Sequence, residues 1–256
     1  MMLLEQRARP FFFPGGRSGC VLIHGFPGAP EEMRWLGEYL AQEGITALGV
    51  RLFGHGTQPA DLIRARKEHW IANVEDGIAL LKETCQDVFL VGLSLGGVLA
   101  LNLSSHFRVS GVVAMAAPYA LPPLVGRLRP ILKPLSLFWR YREPPEDSYW
   151  HDKEAQALNL HYPVQPMRAI AEVYDLVDIT RERLQLVTSP VLLIYSRNDD
   201  SVSPDNAERI FSRLVSQEKI LEWVENSGHN IPRDAERKRV FERIASFVDK
   251  WTVNPS

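Results

Sequence analysis

Short apolar runs alternating with helix-length segments constrain this chain more than any other feature. GCVLIHG (19–25), ITALGV (45–50), DVFLVG (87–92), VSGVVAMAAP (109–118), PVLLIYS (190–196) and KILEWV (219–224) read as strands. Between them lie PEEMRWLGEYLAQEG (30–44), HWIANVEDGIALLKE (69–83), a segment from Leu95, one opened by Ser203 and Pro204, and a last one from Pro232 to about Trp251. Strands apolar on both faces and joined through helices require a mostly parallel sheet with helices on both sides. Residues 30–44 are expected to form a helix opened by Pro30 and two acids, closed by Gly44, with Met33, Leu36, Tyr39 and Leu40 on its apolar face.

The formal net charge is −2, from 29 basic and 31 acidic residues, and no long block of one sign is present. A nucleic-acid surface is therefore not expected. The N-terminal MMLLEQRARPFFFPGG interrupts its apolar pieces with charge and proline, so neither a signal sequence nor a membrane span is expected, and the location read from this is cytoplasmic. Cys20 and Cys85 make no metal-binding pattern and are read as buried, reduced thiols.

In open parallel sheets, functional groups collect in loops at the carboxyl ends of the strands. Four loops qualify: HGFPG (24–28), GLSLG (92–96), SRNDDSVSP (196–204) and ENSGHNIP (225–232). In chain order they carry Ser94, an aspartate and His229, the order Ser, Asp, His. A G-x-S-x-G match alone arises by chance in about one chain in ten of this length. Its context makes it specific, because here a strand turns within a few residues into a helix that packs back on it. A Cβ at position 92 or 96 would clash as the backbone doubles back, and Ser94 is expected at positive φ with its hydroxyl exposed.

HGFPG, GHG (54–56), GLSLGG, RNDD and SGH, in this order, resemble the small bacterial carboxylesterase and monoacylglycerol lipase family of α/β-hydrolases. The resemblance covers nearly the whole chain and is weakest from Pro118 to Pro163. It implies the α/β-hydrolase fold, Ser94 as nucleophile, Asp199 as acid and His229 as base. It also implies an oxyanion hole from the backbone amides of Phe26 and Leu95, with no metal or organic cofactor.

The chemistry also follows from residue types. A serine hydroxyl is a poor nucleophile at neutral pH unless a base removes its proton during attack, which is the role for His229. Asp199 would hold the imidazole tautomer and favour its transient positive charge. Asp200, one residue farther along, is read as a solvated turn carboxylate. His24 is read as bracing its turn and His55 as structural. His69, His106, His151 and His161 lie outside the four loops.

From Pro118 to Pro166 repeated prolines exclude one long helix. The chain is thus read as a hydrolase core over 1–117 and 167–256 with a cap insertion over 118–166. Leu137, Phe138, Trp139 and Tyr149 are expected mostly to form the cap's own core, and Arg127, Arg129, Lys133, Arg140 and Arg142 a solvated face. Residues 165–184 should form a returning amphipathic helix with Met167, Ile170, Val173, Tyr174 and Val177 on one side. The reading is a serine carboxylesterase acting on small acyl esters, with monoacylglycerol as a natural substrate, no nucleic-acid partner and no stable membrane insertion; oligomeric state is left open. A thioesterase or acyltransferase would use the same triad, and a ligand-binding receptor with little turnover would keep the cavity.

Overall fold

The computed structural model describes residues 6–120, 134, 136, 138–143 and 149–253. Among them the elements along the chain are β1 (Phe11–Phe13), β2 (Ser18–Ile23), α1 (Glu31–Gln42), β3 (Thr46–Val50), α2 (Pro59–Ile63), α3 (Lys67–Lys82), β4 (Asp87–Leu93), α4 (Leu95–Ser104) and β5 (Gly111–Met115). There follow β6 (Tyr141–Arg142), α5 (Lys153–Ala157), β7 (Gln165–Pro166), α6 (Met167–Arg183), β8 (Val191–Ser196), α7 (Asp205–Arg213), β9 (Lys219–Val224) and α8 (Arg237–Trp251). Seven strands form one sheet in the order β1-β3-β2-β4-β5-β8-β9. All neighbours run parallel except β1, which pairs antiparallel with β3.

The strands read as apolar on both faces because both faces are covered. Val21, Ile23, Leu90, Val112 and Leu193 pack with residues of α3, α4, α6 and α7. Their alternating neighbours Cys20, Leu22, Phe89, Val91, Val113 and Leu192 pack with α1 and α8. This is the period-two alternation of a strand, with an apolar layer on each side. Ile23 pairs with Gly92, Leu93 with Met115, Met115 with Ile194 and Ser196 with Val224. The carboxyl ends of β2, β4, β5, β8 and β9 therefore align on one edge, and the four selected loops all leave from it.

Two expectations are corrected. The last helix starts at Arg237, not Pro232; residues 231–236 form turns, because Arg233 and Asp234 are drawn into buried pairings described below. Glu31 and Glu32, read as helix-opening acids, do stand in the first turn of α1, and both are buried there. Phe138, Trp139 and Tyr149 are 91%, 58% and 44% exposed, so they do not form a core of their own. The described residues there form a turn and the two-residue pairing of β6 with β7, and among the described residues no second layer buries these rings. Arg127, Arg129, Lys133 and Leu137 lie outside the described residues.

Helix α6 and the two cysteines follow the expectation. Helix α6 buries Met167, Ile170 and Val177, with Val173 and Tyr174 partly covered. Cys20 and Cys85 are buried and unbridged. Arg140 is exposed, while Arg142 is tied to Gln165 Oε1 by two bonds of 3.0 and 2.8 Å. No helix among the described residues is long and apolar enough to cross a membrane.

Candidate active site

Ser94 sits between β4 and α4 at φ 53°, ψ −113°. A non-glycine residue held in such a region costs on the order of 1–3 kcal/mol, and the surrounding structure must impose it. The neighbours do so. A Cβ on Gly92 would lie 2.1 Å from the carbonyl of Gly96, and one on Gly96 would lie 2.1 Å from Ile23 O. The strand and helix thus approach too closely for any side chain at either glycine, and the Ser94 N–H is anchored on Met115 O at 2.8 Å.

The loops after β8 and β9 meet. His229 Nδ1 lies 2.8 Å from Asp199 Oδ2, with the Asp199 side chain fully buried and the imidazole 16% exposed. The other oxygen, Asp199 Oδ1, accepts the N–H groups of Ser201 and Val202, each at 2.8 Å. All three bonds go to an acceptor, so the carboxylate fixes the proton on His229 Nδ1 and leaves Nε2 with its lone pair. Asp200 is exposed, its Oδ1 3.4 Å from the Ser201 hydroxyl.

The turn after β2 closes against Ser94: a Cβ on Gly25 would stand 3.5 Å from Ser94 Cβ. Leu52 N–H donates to His24 Nε2 at 3.1 Å, which leaves Nδ1–H to donate to Gly25 O at 2.8 Å. Burial lowers the His24 pKa to about 4, so the ring stays neutral and serves as a brace. Because the peptide is planar and trans, fixing Gly25 O on one side aims the Phe26 N–H to the other. Leu95 is the first residue of α4, where amides have no intrahelical acceptor. Among the described residues neither the Phe26 nor the Leu95 N–H donates to a protein acceptor. His55 is buried in a ring cluster with His24, Phe26 and Trp70.

Against this geometry, residues 20–243 match the sequence pattern of the Alpha/beta hydrolase family. The chain belongs to that family. It is 31% identical to a carboxylesterase of Bacillus subtilis (strain 168) over 244 residues, 94% of this chain and 96% of that one. It is 33% identical to a thermostable monoacylglycerol lipase of Bacillus sp. (strain H-257) over 247 residues, 95% of each. A solved structure from LipS and LipT, two metagenome-derived lipolytic enzymes, is 31% identical with a TM-score of 0.87, covering 97% of this chain and 100% of that one. A soluble variant of monoglyceride lipase from Saccharomyces cerevisiae, solved with a substrate analogue, shares the fold at 20% identity and a TM-score of 0.81, covering 96% of this chain and 92% of that one.

This hydrolase also gathers residues that sequence reasoning did not select. Asp234, fully buried, accepts the N–H groups of Gly228 (2.7 Å), Asp152 (2.7 Å), His151 (3.0 Å) and Ala235 (2.8 Å). It ties the loop carrying His229 to residues 151–152. Gly228 has no space for a side chain there, since a Cβ would fall 1.6 Å from Tyr149 O. Arg233, fully buried, pairs with Glu31 Oε1 at 2.9 Å and lies 3.5 Å over the Trp35 ring. On the opposite side, Tyr162 OH donates to Gly54 O at 2.9 Å and accepts the Thr57 N–H at 2.7 Å. No local motif announces the contacts of Asp234 with residues 151–152, of Arg233 with Glu31 or of Tyr162 with Gly54 and Thr57, because those partners are distant in sequence.

Proposed function

We propose that this chain is a serine carboxylesterase that hydrolyses short- to medium-chain acyl esters, monoacylglycerols among them, through an acyl-enzyme on Ser94. Carboxylic ester hydrolysis is supported by the two Bacillus relatives, named carboxylesterase and monoacylglycerol lipase. The observation that carries the finer reading is a serine held at positive φ in a strand-to-helix turn, on the same sheet edge as a buried Asp199–His229 pair.

His229 Nε2 takes the proton from Ser94 Oγ as that oxygen bonds to the ester carbonyl carbon. The imidazolium formed is stabilised by Asp199, and the carbonyl oxygen, now an oxyanion, accepts the Phe26 and Leu95 N–H groups. Loss of one such donor typically raises the barrier by about 3–4 kcal/mol. The proton then passes from His229 to the departing alkoxide, which leaves as the alcohol. Water, deprotonated by the same imidazole, attacks the acyl-serine; collapse of that intermediate releases the acid and returns the proton to Ser94. Residues 118–166 act as a cap that limits the length and number of acyl chains admitted.

The test is Ser94→Ala, assayed on p-nitrophenyl butyrate and on thioesters, with folding followed by thermal melt. The variant should melt like the parent and lose at least about a thousandfold in kcat. Retained hydrolysis would remove Ser94 from the chemistry. A parent kcat/KM higher for acyl thioesters than for oxygen esters would redirect the reading to a thioesterase.

A further inference from the structure

Glu32 is an unusual residue to find where it lies. It belongs to the first turn of α1, yet it is only 5% exposed and folds back beneath the 25–28 turn. Its Oε2 accepts the Gly25 N–H at 2.9 Å. Its carboxylate fills the space that side chains at the turn glycines would need: a Cβ on Gly28 would lie 2.1 Å from Oε1, and one on Gly25 would lie 3.4 Å from Oε2. Gly25 is therefore gripped at both polar groups, its N–H by Glu32 and its C=O by His24.

A neutral glutamine would satisfy the Gly25 amide as well, so the charge needs a separate reason. Four groups face the carboxyl: the Gly25 N–H from the turn after β2, Glu31 from its own helix, and His229 and Arg233 from the segment between β9 and α8. Burial raises the Glu32 pKa to about 7; the Gly25 bond, His229 and Arg233 draw it downward, and Glu31 pushes it up. Arg233 is already paired with Glu31; the Glu32 carboxyl lies across the Gly25 turn from Ser94, where a Cβ on Gly25 would meet both Glu32 Oε2 and Ser94 Cβ, and His229 is the remaining cation whose charge acts on it.

We infer that Glu32 is a positioning residue with two actions: it sets the 25–28 turn that aims the Phe26 amide, and its carboxylate steadies the positive charge that His229 acquires. The inference rests on the proposed roles of Ser94, His229 and Phe26. Glu32 touches no substrate and acts only through the turn and through the imidazole.

The experiment compares the parent, Glu32→Gln and Glu32→Ala in p-nitrophenyl butyrate hydrolysis from pH 5 to 9, with thermal melts and fluorophosphonate labelling of each. Glu32→Gln keeps an acceptor for Gly25 and loses the charge. Its kcat at about pH 8 to 9, where the parent's carboxyl has given up its proton, should fall by about three- to tenfold, and the deficit should shrink toward about pH 5 as the parent's Glu32 takes that proton up. Glu32→Ala loses the brace as well, and its kcat should fall by about thirty- to a hundredfold with KM changed by less than about threefold. Parent-like kcat at about pH 8 to 9 in folded Glu32→Gln, or a deficit that does not change with pH, would overturn the charge role, and parent-like kcat in Glu32→Ala would overturn the brace. Absence of stoichiometric labelling at Ser94 in the parent would overturn the triad reading and this inference together, so the two failures are distinguishable.

Discussion

Replacing Asp199 by asparagine changes one atom, and the structure says which way the new amide must face. The present carboxylate spends Oδ1 on two backbone donors, Ser201 N–H and Val202 N–H, and Oδ2 on His229. In Asp199→Asn the amide oxygen must stay on the two backbone donors, which turns the NH2 toward His229 Nδ1. That nitrogen becomes an acceptor, the proton moves to Nε2, and the lone pair needed to deprotonate Ser94 disappears. Flipping the amide restores the tautomer but sets an NH2 against two backbone N–H groups, that of Val202 buried and that of Ser201 partly so. The loss of two hydrogen bonds costs about 2–3 kcal/mol, which holds the productive orientation to roughly 1–3%. That population alone lowers kcat by about thirty- to a hundredfold, and because the same change in a serine protease costs on the order of 10⁴, a total loss of at least about a hundredfold is expected. Asp200→Asn, on an exposed carboxylate, should cost less than about tenfold. Both variants are to be assayed at saturating p-nitrophenyl butyrate with melting curves alongside. An inactive Asp200→Asn beside an active, folded Asp199→Asn would refute the reasoning.

Arg233→Ala removes the cation from a pair with Glu31 in which both side chains are buried; a loss of about 3–5 kcal/mol is expected, or about 6–20 °C in Tm for a chain of this size, and a melt within 2 °C of the parent (a margin set at about one measurement error) would contradict it. Glu32 holds its proton in the native state up to about pH 7 against 4.5 for an ordinary glutamate, so parent stability is eroded as pH rises through that window. Urea unfolding at its two ends should show Glu32→Gln gaining on the parent by up to about 3 kcal/mol with rising pH, and a pH-independent difference would argue that Glu32 is not shifted. For substrate range, kcat/KM should be higher for monoacylglycerols and short p-nitrophenyl esters than for triolein, as the proposed cap over 118–166 would admit one chain; preference for emulsified triolein with activation at the interface would contradict that proposal.

Much of the sheet was legible because a buried parallel strand leaves a local trace, an apolar run bounded by turn residues. GCVLIHG, DVFLVG and PVLLIYS became β2, β4 and β8 within a residue or two at each end. Strand β1 was not read, because three phenylalanines between prolines carry no periodicity and pair only through β3, 34 or more residues away. At the site, Gly92 and Gly96 expose their purpose through spacing alone, whereas the choice between adjacent Asp199 and Asp200 needed the family resemblance. The N–H groups of Ser201 and Val202 give that choice its physical reason, since a short loop can wrap only one of the two carboxylates. Glu31, Glu32, Arg233 and Asp234 stayed hidden. Acids in the first turn of a helix are ordinarily solvated helix-dipole partners, and Glu31 meets Arg233 across 202 positions of sequence. Phe138 and Trp139 misled for the opposite reason, being apolar in composition yet exposed, with no described element folding them inward.

The central claim, that an acyl group passes through Ser94, is tested most directly by mass spectrometry of the enzyme acid-quenched during turnover of p-nitrophenyl butyrate. The account predicts one butyryl adduct, mapped by proteolysis to the peptide containing Ser94, accumulating with a burst of p-nitrophenol and absent from Ser94→Ala. Turnover at the parent rate in Ser94→Ala, or an acyl adduct confined to a different residue, would contradict it.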